Sequence, residues 1–235
     1  MIEIAFLGSH PLAHRSLKYL NQVDEIDIVA VVPSYSQKSD HWWDGDLYEV
    51  AQKLGFPVYE EEELLNIEFD YLLSVHYSHV IKEPLLSHPR KGCLNLHPAE
   101  LPRYRGCNTF SHSIMNARKD DYWEHGATLH FMDEDVDTGD IVTKKTCEIR
   151  EDDTAKDLYK RVEDLALELL KDITPKIISG EVNKMRESQG QGKYYYPRDS
   201  LEGRKEISIT KLCNKEREQE VYDKIRALEF PPFEP

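Results

Sequence analysis

The chain has 235 residues, 40% of them hydrophobic and 31% charged, which is enough apolar sequence to bury a core of its own. Its 30 Lys and Arg stand against 44 Asp and Glu, and the formal charge of −14 argues against nucleic acid as a partner, because neutralising phosphates needs a basic face and no basic cluster stands out. No apolar run approaches the roughly 20 residues of a membrane helix, and the start Met1-Ile-Glu-Ile4 lacks the basic flank and cleavage site of an export signal, so no membrane contact and a cytoplasmic location are expected.

Ile2 to Leu7 is an apolar run with one charge and predicts a strand, followed by Gly8-Ser9-His10-Pro11 and an amphipathic helix over 12–20. Ser9 is suited to cap that helix and Pro11 to its first turn, where a proline forfeits no hydrogen bond. The unit then recurs: a strand over 27–32, a helix over 46–54 closed by Gly55, a buried strand over 70–75 and another over 92–96. Such alternation predicts an α/β fold, a Rossmann-like, mostly parallel sheet with helices on both faces, whose ligands sit beyond the carboxyl ends of the strands.

Beyond residue 120 the spacing changes. Residues 126–131 and 141–149 alternate as half-buried strands do, and the acidic loop 132–140 between them suggests a hairpin-like pair. Asp153-Thr154 caps a long helix with Leu158, Val162, Leu165, Leu169 and Ile173 along one face, and Pro175 and Gly180 are expected to mark its end. The tail holds a flexible stretch over 189–193, the segment Tyr194 to Arg198, a polar helix over 211–228 and an exposed Phe230-Pro-Pro-Phe233 end that suggests a contact surface. With no internal repeat, the reading is one catalytic domain over 1–190 and a short C-terminal appendage over 191–235 packed on it.

Cys93, Cys107, Cys147 and Cys213 make no CxxC pair and read as buried free thiols. His10 with His14, and His76 with His79, have turn or loop spacing, but no HExxH and no third ligand accompany them, so no metal is expected. Trp42-Trp43 either packs its loop against the domain or covers a ligand.

The densest segment is Cys93-Leu-Asn-Leu-His-Pro-Ala-Glu-Leu-Pro-Arg-Tyr-Arg-Gly106, in which Asn95 and His97 fall two apart and share one face of a strand. An amide inside an apolar run costs a few kcal/mol unless it is hydrogen-bonded, so Asn95 has either a structural partner or a task. The loop His130-Phe-Met-Asp-Glu-Asp-Val-Asp-Thr-Gly-Asp140 carries too many carboxylates for a plain turn, yet lacks the glycine and terminal glutamate of a calcium loop. Pairing one of its carboxylates with His97 would raise the imidazole pKa and hold the ring. An amide to hold an oxyanion, an imidazole to move protons and a carboxylate to tune it are a set for acyl transfer.

Leu-Asn-Leu-His-Pro-Ala-Glu-Leu-Pro-Arg-Tyr-Arg-Gly and Gly-Ala-Thr-Leu-His-Phe-Met-Asp-Glu-Asp-Val-Asp-Thr-Gly-Asp-Ile together resemble the signature of the folate-dependent formyltransferases. The resemblance implies catalytic roles for Asn95, His97 and Asp137, and N10-formyltetrahydrofolate as co-substrate, its pterin against His79, Val80 and Ile81 and against Met132, Asp133, Glu134 and Asp135, largely through backbone groups. From side-chain type alone, Val80 and Ile81 read as packing residues. Family members act on glycinamide ribonucleotide, methionyl-tRNA or nucleotide-linked sugars. Gly8-Ser9-His10-Pro11 departs from the Gly-x-Gly turn of the purine enzymes, and only about 40 residues follow Tyr194 where the tRNA enzymes continue into an RNA-binding domain, so a tRNA acceptor is not expected. The Cys107-Asn-Thr109 continuation, Lys193-Tyr-Tyr-Tyr-Pro-Arg and the tail look most like short bacterial nucleotide-sugar N-formyltransferases, which implies a homodimer and a nucleotide-linked amino sugar as partner. Ser9, His10 and Arg105 are then candidates for the sugar, Tyr195 and Arg198 for the nucleotide, with a helix cap for Ser9 and a solvated side chain for Arg198 as plain alternatives. Purine-type transfer, formyl-folate hydrolysis and a non-catalytic binding module remain the other readings.

Overall fold

The computed structural model describes residues 1–34, 46–207 and 217–230. Six strands form the main sheet: β1 (Ile2–Gly8), β2 (Ile26–Pro33), β3 (Tyr71–Val75), β4 (Gly92–His97), β6 (Glu124–Phe131) and β7 (Ile141–Glu148), in the order β2-β1-β3-β4-β6-β7. The first four run parallel, and β6 and β7 are antiparallel. Parallel strands need cover on both faces, and accordingly β3 is buried along its whole length.

On one face lie α1 (His10–Leu20), α2 (Leu47–Leu54), α3 (Thr109–Asp120) and the long α4 (Ala155–Ser179), whose Leu12, Leu17, Leu158, Val162 and Ile173 pack with Ile4, Phe6, Leu94 and Leu96. The other face is covered by two 3₁₀ turns, Glu61–Asn66 and Leu85–Ser87, which bring Leu64 and Leu85 over Ala5, Leu7, Leu72 and Cys93. The Rossmann-like sheet of the sequence reading is therefore present, with thinner helical cover on its second face. A separate parallel ribbon joins β5 (Tyr104–Gly106) to β8 (Tyr194–Tyr196), and α5 (Glu218–Leu228) packs on α3.

Four local expectations are corrected. The β6 strand does not alternate but is buried from His125 to Phe131, because β4 and β7 flank it and α4 covers it; only β7 alternates. Helix α4 runs through Pro175 to Gly180, where φ of +73° ends it in the conformation glycine tolerates best. Ser9 does not cap α1: its hydroxyl donates to the His76 carbonyl at 2.5 Å. Phe230 is half-buried against the core, edge-on to Tyr159 with ring centroids 5.2 Å apart, so it is not the exposed contact expected of it. Helix α3 and the β5–β8 ribbon were not foreseen. Among the cysteines, Cys93 is buried and Cys107 and Cys147 are half-buried free thiols. Trp42, Trp43, Cys213, Phe233 and the first residues of the predicted tail helix lie outside the described residues. No helix among the described residues is long and apolar enough to cross a membrane.

Candidate active site

Asn95 and His97 leave the same face of β4, where the carboxyl ends of the parallel strands open. Asn95 is paired across the ladder with His130 of β6, and its Nδ2 lies 3.1 Å from His130 Nε2 and 3.3 Å from Asp137 Oδ1. Asp137 reaches in from the loop after β6. Its Oδ2 accepts the Gly106 amide hydrogen at 2.9 Å and stands 3.6 Å from His97 Nε2.

Hydrogen-bond partners assign the protons in this cluster. His97 Nε2 faces the Tyr104 carbonyl at 3.1 Å as well as Asp137, and both can only accept, so Nε2 carries the hydrogen and Nδ1 keeps the lone pair. His130 Nδ1 faces the Phe131 carbonyl at 2.7 Å and must donate, which leaves Nε2 to accept from Asn95. Both amide hydrogens of Asn95 thus have a direction. The sequence requirement for a partner to this amide is met by two groups.

The backbone around Asp137 is held as firmly as its side chain. Its φ of +56° lies in the left-handed region, where Asp and Asn are the non-glycine residues most often found. Gln189 Nε2 donates to the Asp137 and Gly139 carbonyls at 3.1 and 2.6 Å. A Cβ on Gly139 would lie 2.0 Å from the Phe131 carbonyl oxygen, so only glycine lets this turn close against β6. Gly106, at φ +87°, approaches Tyr196 so closely that a Cβ would sit 2.2 Å from its carbonyl. Gly106→Ala is therefore expected to pull β5 from β8 and the amide from Asp137. We expect a loss of stability well above ~1 kcal/mol, read as a lowered thermal midpoint.

Burial sets the proton affinities. It pushes the Asp137 carboxyl up, but its neighbours, His97 foremost and the Gly106 amide among them, outweigh it and hold the group well below the usual carboxylate range, so Asp137 is an anion at neutral pH. For His97 the balance goes the other way. Burial lowers its pKa more than Asp137 raises it, so the imidazole is neutral at pH 7: the carboxylate acts in the expected direction, but the net shift is downward. His76 is likewise held well below its ordinary value by burial, with His10 and His97 adding to it, and burial takes His125 down to about 3.

These histidines predict acid sensitivity. Each is neutral when folded and takes a proton when unfolded below about pH 6.5, so its stabilising contribution is full above that pH and is lost on acidification, at up to about 1.4 kcal/mol per pH unit and proton. Glu163, raised to about 7 chiefly by burial, opposes them with a single proton: its contribution is present below the unfolded carboxyl value and lost as pH rises through 7. Melts between pH 5 and 8 are expected to show the thermal midpoint falling steeply below pH 6.5.

The other candidate residues divide into those at the site and those employed elsewhere. Ser9 and His10 stand at the end of β1, two strands from β4, with Ser9 Oγ 2.6 Å from His10 Nδ1 and bonded to the His76 carbonyl. Arg198 donates to the Ser78 carbonyl at 2.7 Å, so Ser9 and Arg198 both fasten the loop after β3. Arg105 is bound to Gln189 and to the Gly190 carbonyl, while Tyr195 beside it is 58% exposed. Ile81 is buried in the smaller core, Val80 and His79 are exposed, Met132 is half-buried, and Asp133, Glu134 and Asp135 face solvent, with Asp133 accepting from Thr138. Among the described residues the backbone groups of His79, Val80 and Ile81 make no hydrogen bond. No group of three His, Cys, Asp or Glu side chains among the described residues is disposed to hold a metal ion.

Three contributors escaped the sequence reading: His130, Gln189 and the Tyr104 carbonyl. His130 stood in the quoted string, but only the β4–β6 register sets it opposite Asn95. Nothing in spacing brings Gln189 to Asp137.

The formyl transferase family profile matches residues 51–174, more than half of the chain and the stretch that carries Asn95, His97 and Asp137. The chain belongs to the formyl transferase family. Methionyl-tRNA formyltransferase of Halothermothrix orenii is 30% identical over 210 residues, 84% of this chain and 65% of that protein. The bifunctional polymyxin resistance protein ArnA of Wigglesworthia glossinidia brevipalpis is 27% identical over 241 residues, 97% of this chain but 34% of its own length. The chain thus spans about a third of one curated relative and just under two thirds of the other. Among solved structures, the N-formyltransferase of Helicobacter canadensis in complex with folinic acid and dTDP-3-aminofucose is similar with a TM-score of 0.77 and 26% identity, over 98% of this chain and 81% of that one.

Proposed function

We propose that the chain is an N-formyltransferase that moves the formyl group of N10-formyltetrahydrofolate to the amino group of a nucleotide-linked amino-deoxysugar. The observation that carries the reading is the convergence of Asn95, neutral His97 and anionic Asp137 at the mouth of the parallel sheet. The unbonded backbone of residues 79–81 suits a pterin read through main-chain groups, beside the half-buried Met132. For the acceptor, support comes from the Helicobacter protein, whose likeness extends over 98% of this chain and which was crystallised with a folate and a dTDP-amino sugar. The charge of −14 disfavours a tRNA.

In this reading the amine nitrogen attacks the formyl carbon and the formyl oxygen takes the negative charge. Asn95 turns the longer of its two hydrogen bonds, the 3.3 Å one to Asp137, toward that oxygen. His97 Nδ1 takes a proton from the attacking nitrogen and returns it to N10 as the carbon–N10 bond breaks, with Asp137 compensating the transient imidazolium. Tyr195 offers a face for the nucleobase, and Ser9, His10, Arg105 and Arg198 frame the sugar and phosphates. The enzyme works as a cytoplasmic homodimer, with residues 191–235 as an extension of the catalytic domain over 1–190. The test is tetrahydrofolate release from N10-formyltetrahydrofolate with a panel of dTDP-, UDP- and GDP-linked 3-amino and 4-amino sugars. Acceptor-dependent release is expected; release without acceptor would make the protein a hydrolase, and folate binding without any release would favour the purine acceptor or a non-catalytic module.

A further inference from the structure

Behind the site lies a buried acid that the chemistry above does not use. Glu163, on α4, is 4% exposed, and its Oε1 faces His76 Nε2 at 3.7 Å. Both atoms are shut off from solvent and neither has another hydrogen-bond partner among the described residues. An unpaired carboxylate oxygen at this depth costs several kcal/mol unless something compensates it. The Tyr159 hydroxyl and the Leu12 amide at the start of α1 lie near enough to favour the charged form of Glu163, but neither outweighs its burial.

His76 also has an uncommon backbone conformation. Its φ is +54°, and its neighbour across the mouth, His10, has φ +65° with ring centroids 5.0 Å apart. Left-handed backbone is uncommon for a non-glycine residue, and two such histidines in contact at the ends of β1 and β3 belong with functional geometry. The residue before His76, Val75, is paired with Leu96, so His76 stands at the strand end beside His97. The two rings are near enough that His97 lowers the proton affinity of His76.

The proton count of formyl transfer supplies the need. An amine that arrives as an ammonium carries three hydrogens on nitrogen and leaves as a formamide with one. One of the two lost protons goes to N10 of tetrahydrofolate through His97; the other has to leave the nitrogen before it can attack. Resting on the formyl-transfer reading, we infer that Glu163, reached through His76, is the base that receives this second proton and gives it up to solvent after turnover. Glu163 must be ionised to do so. It faces Tyr159 and Asp164 on its own helix, Arg15 and the Leu12 amide on α1, and His76 at the end of β3; burial outweighs Tyr159, Arg15 and Leu12 and raises it to about 7, which lets it take and release a proton at neutral pH.

The experiment is the pH profile of kcat for the wild type and for Glu163→Gln, which keeps the volume and an acceptor for Leu12. The wild type is expected to gain activity through about pH 7 as Glu163 ionises. In Glu163→Gln that limb should vanish and kcat at pH 8 should fall on the order of 10²-fold, while the limb from the acceptor's own ionisation persists in both. His76→Gln should lose the same limb and carries the test if the first variant does not fold. A Glu163→Gln enzyme with the wild-type profile and kcat, and only a lower melting point, would make Glu163 a helix cap and overturn the inference. A wild type that forms no tetrahydrofolate with any acceptor would instead overturn the formyl-transfer reading.

Discussion

Asp137→Asn is expected to lower kcat by on the order of 10³- to 10⁴-fold while leaving the fold standing, as removing the carboxylate behind a catalytic imidazole does elsewhere. Asparagine accepts the left-handed backbone at φ +56° and fills the same space, so the turn through Gly139 and its bonds to Gln189 persist. What changes is the sign and number of donors. Asp137 receives hydrogens from Gly106, from Asn95 and in part from His97. An amide must turn its NH₂ toward either Gly106 or Asn95, so one donor meets another donor. The anion that compensates a proton on His97 is also gone, and burial, which already depresses that imidazole, is opposed only by the Tyr104 carbonyl. The expected signature is a collapse of kcat with little change in the folate KM, checked by steady-state kinetics beside a thermal melt that moves by no more than a few degrees. A variant with near wild-type kcat would remove Asp137 from the chemistry.

The same residues show how far the sequence carried. Period-two spacing put Asn95 and His97 on one face, and the four parallel strands followed from apolar runs punctuated by turns, because those features are written locally. Helix α3 was missed because its apolar positions are few and it starts from Asn108 at φ +56°, a cap with no side-chain signature. The β5–β8 ribbon joins residues some 90 apart through three-residue strands, too short for any periodicity. Ser9 and Arg198 were legible as polar residues near the site, but their partners, the carbonyls of His76 and Ser78, are properties of the folded chain. The sign of the His97 shift was out of reach for a related reason: it depends on how completely the ring is buried, and only then on the neighbour that charge patterning suggests.

Asn95→Ala is expected to lower kcat about 10²- to 10³-fold, the cost of removing one oxyanion donor. Two losses compete in this variant. The transition state loses its amide hydrogen, and the resting site leaves His130 Nε2 and Asp137 Oδ1 short of a donor, at a cost of about 1–3 kcal/mol. The second loss falls on the free enzyme and the ground-state complex alike, so it lowers stability without slowing the chemical step. Measuring both separates them: oxyanion stabilisation appears as reduced kcat and kcat/KM in equal proportion, with folate affinity from equilibrium binding unchanged. A purely structural amide would instead lower the thermal midpoint and weaken folate binding while kcat at saturation held. Because His130 Nδ1 is fixed on the Phe131 carbonyl, the ring cannot turn to donate into the gap, so the site has no means of replacing the lost hydrogen and the kinetic loss should persist across the pH range in which Asp137 is ionised.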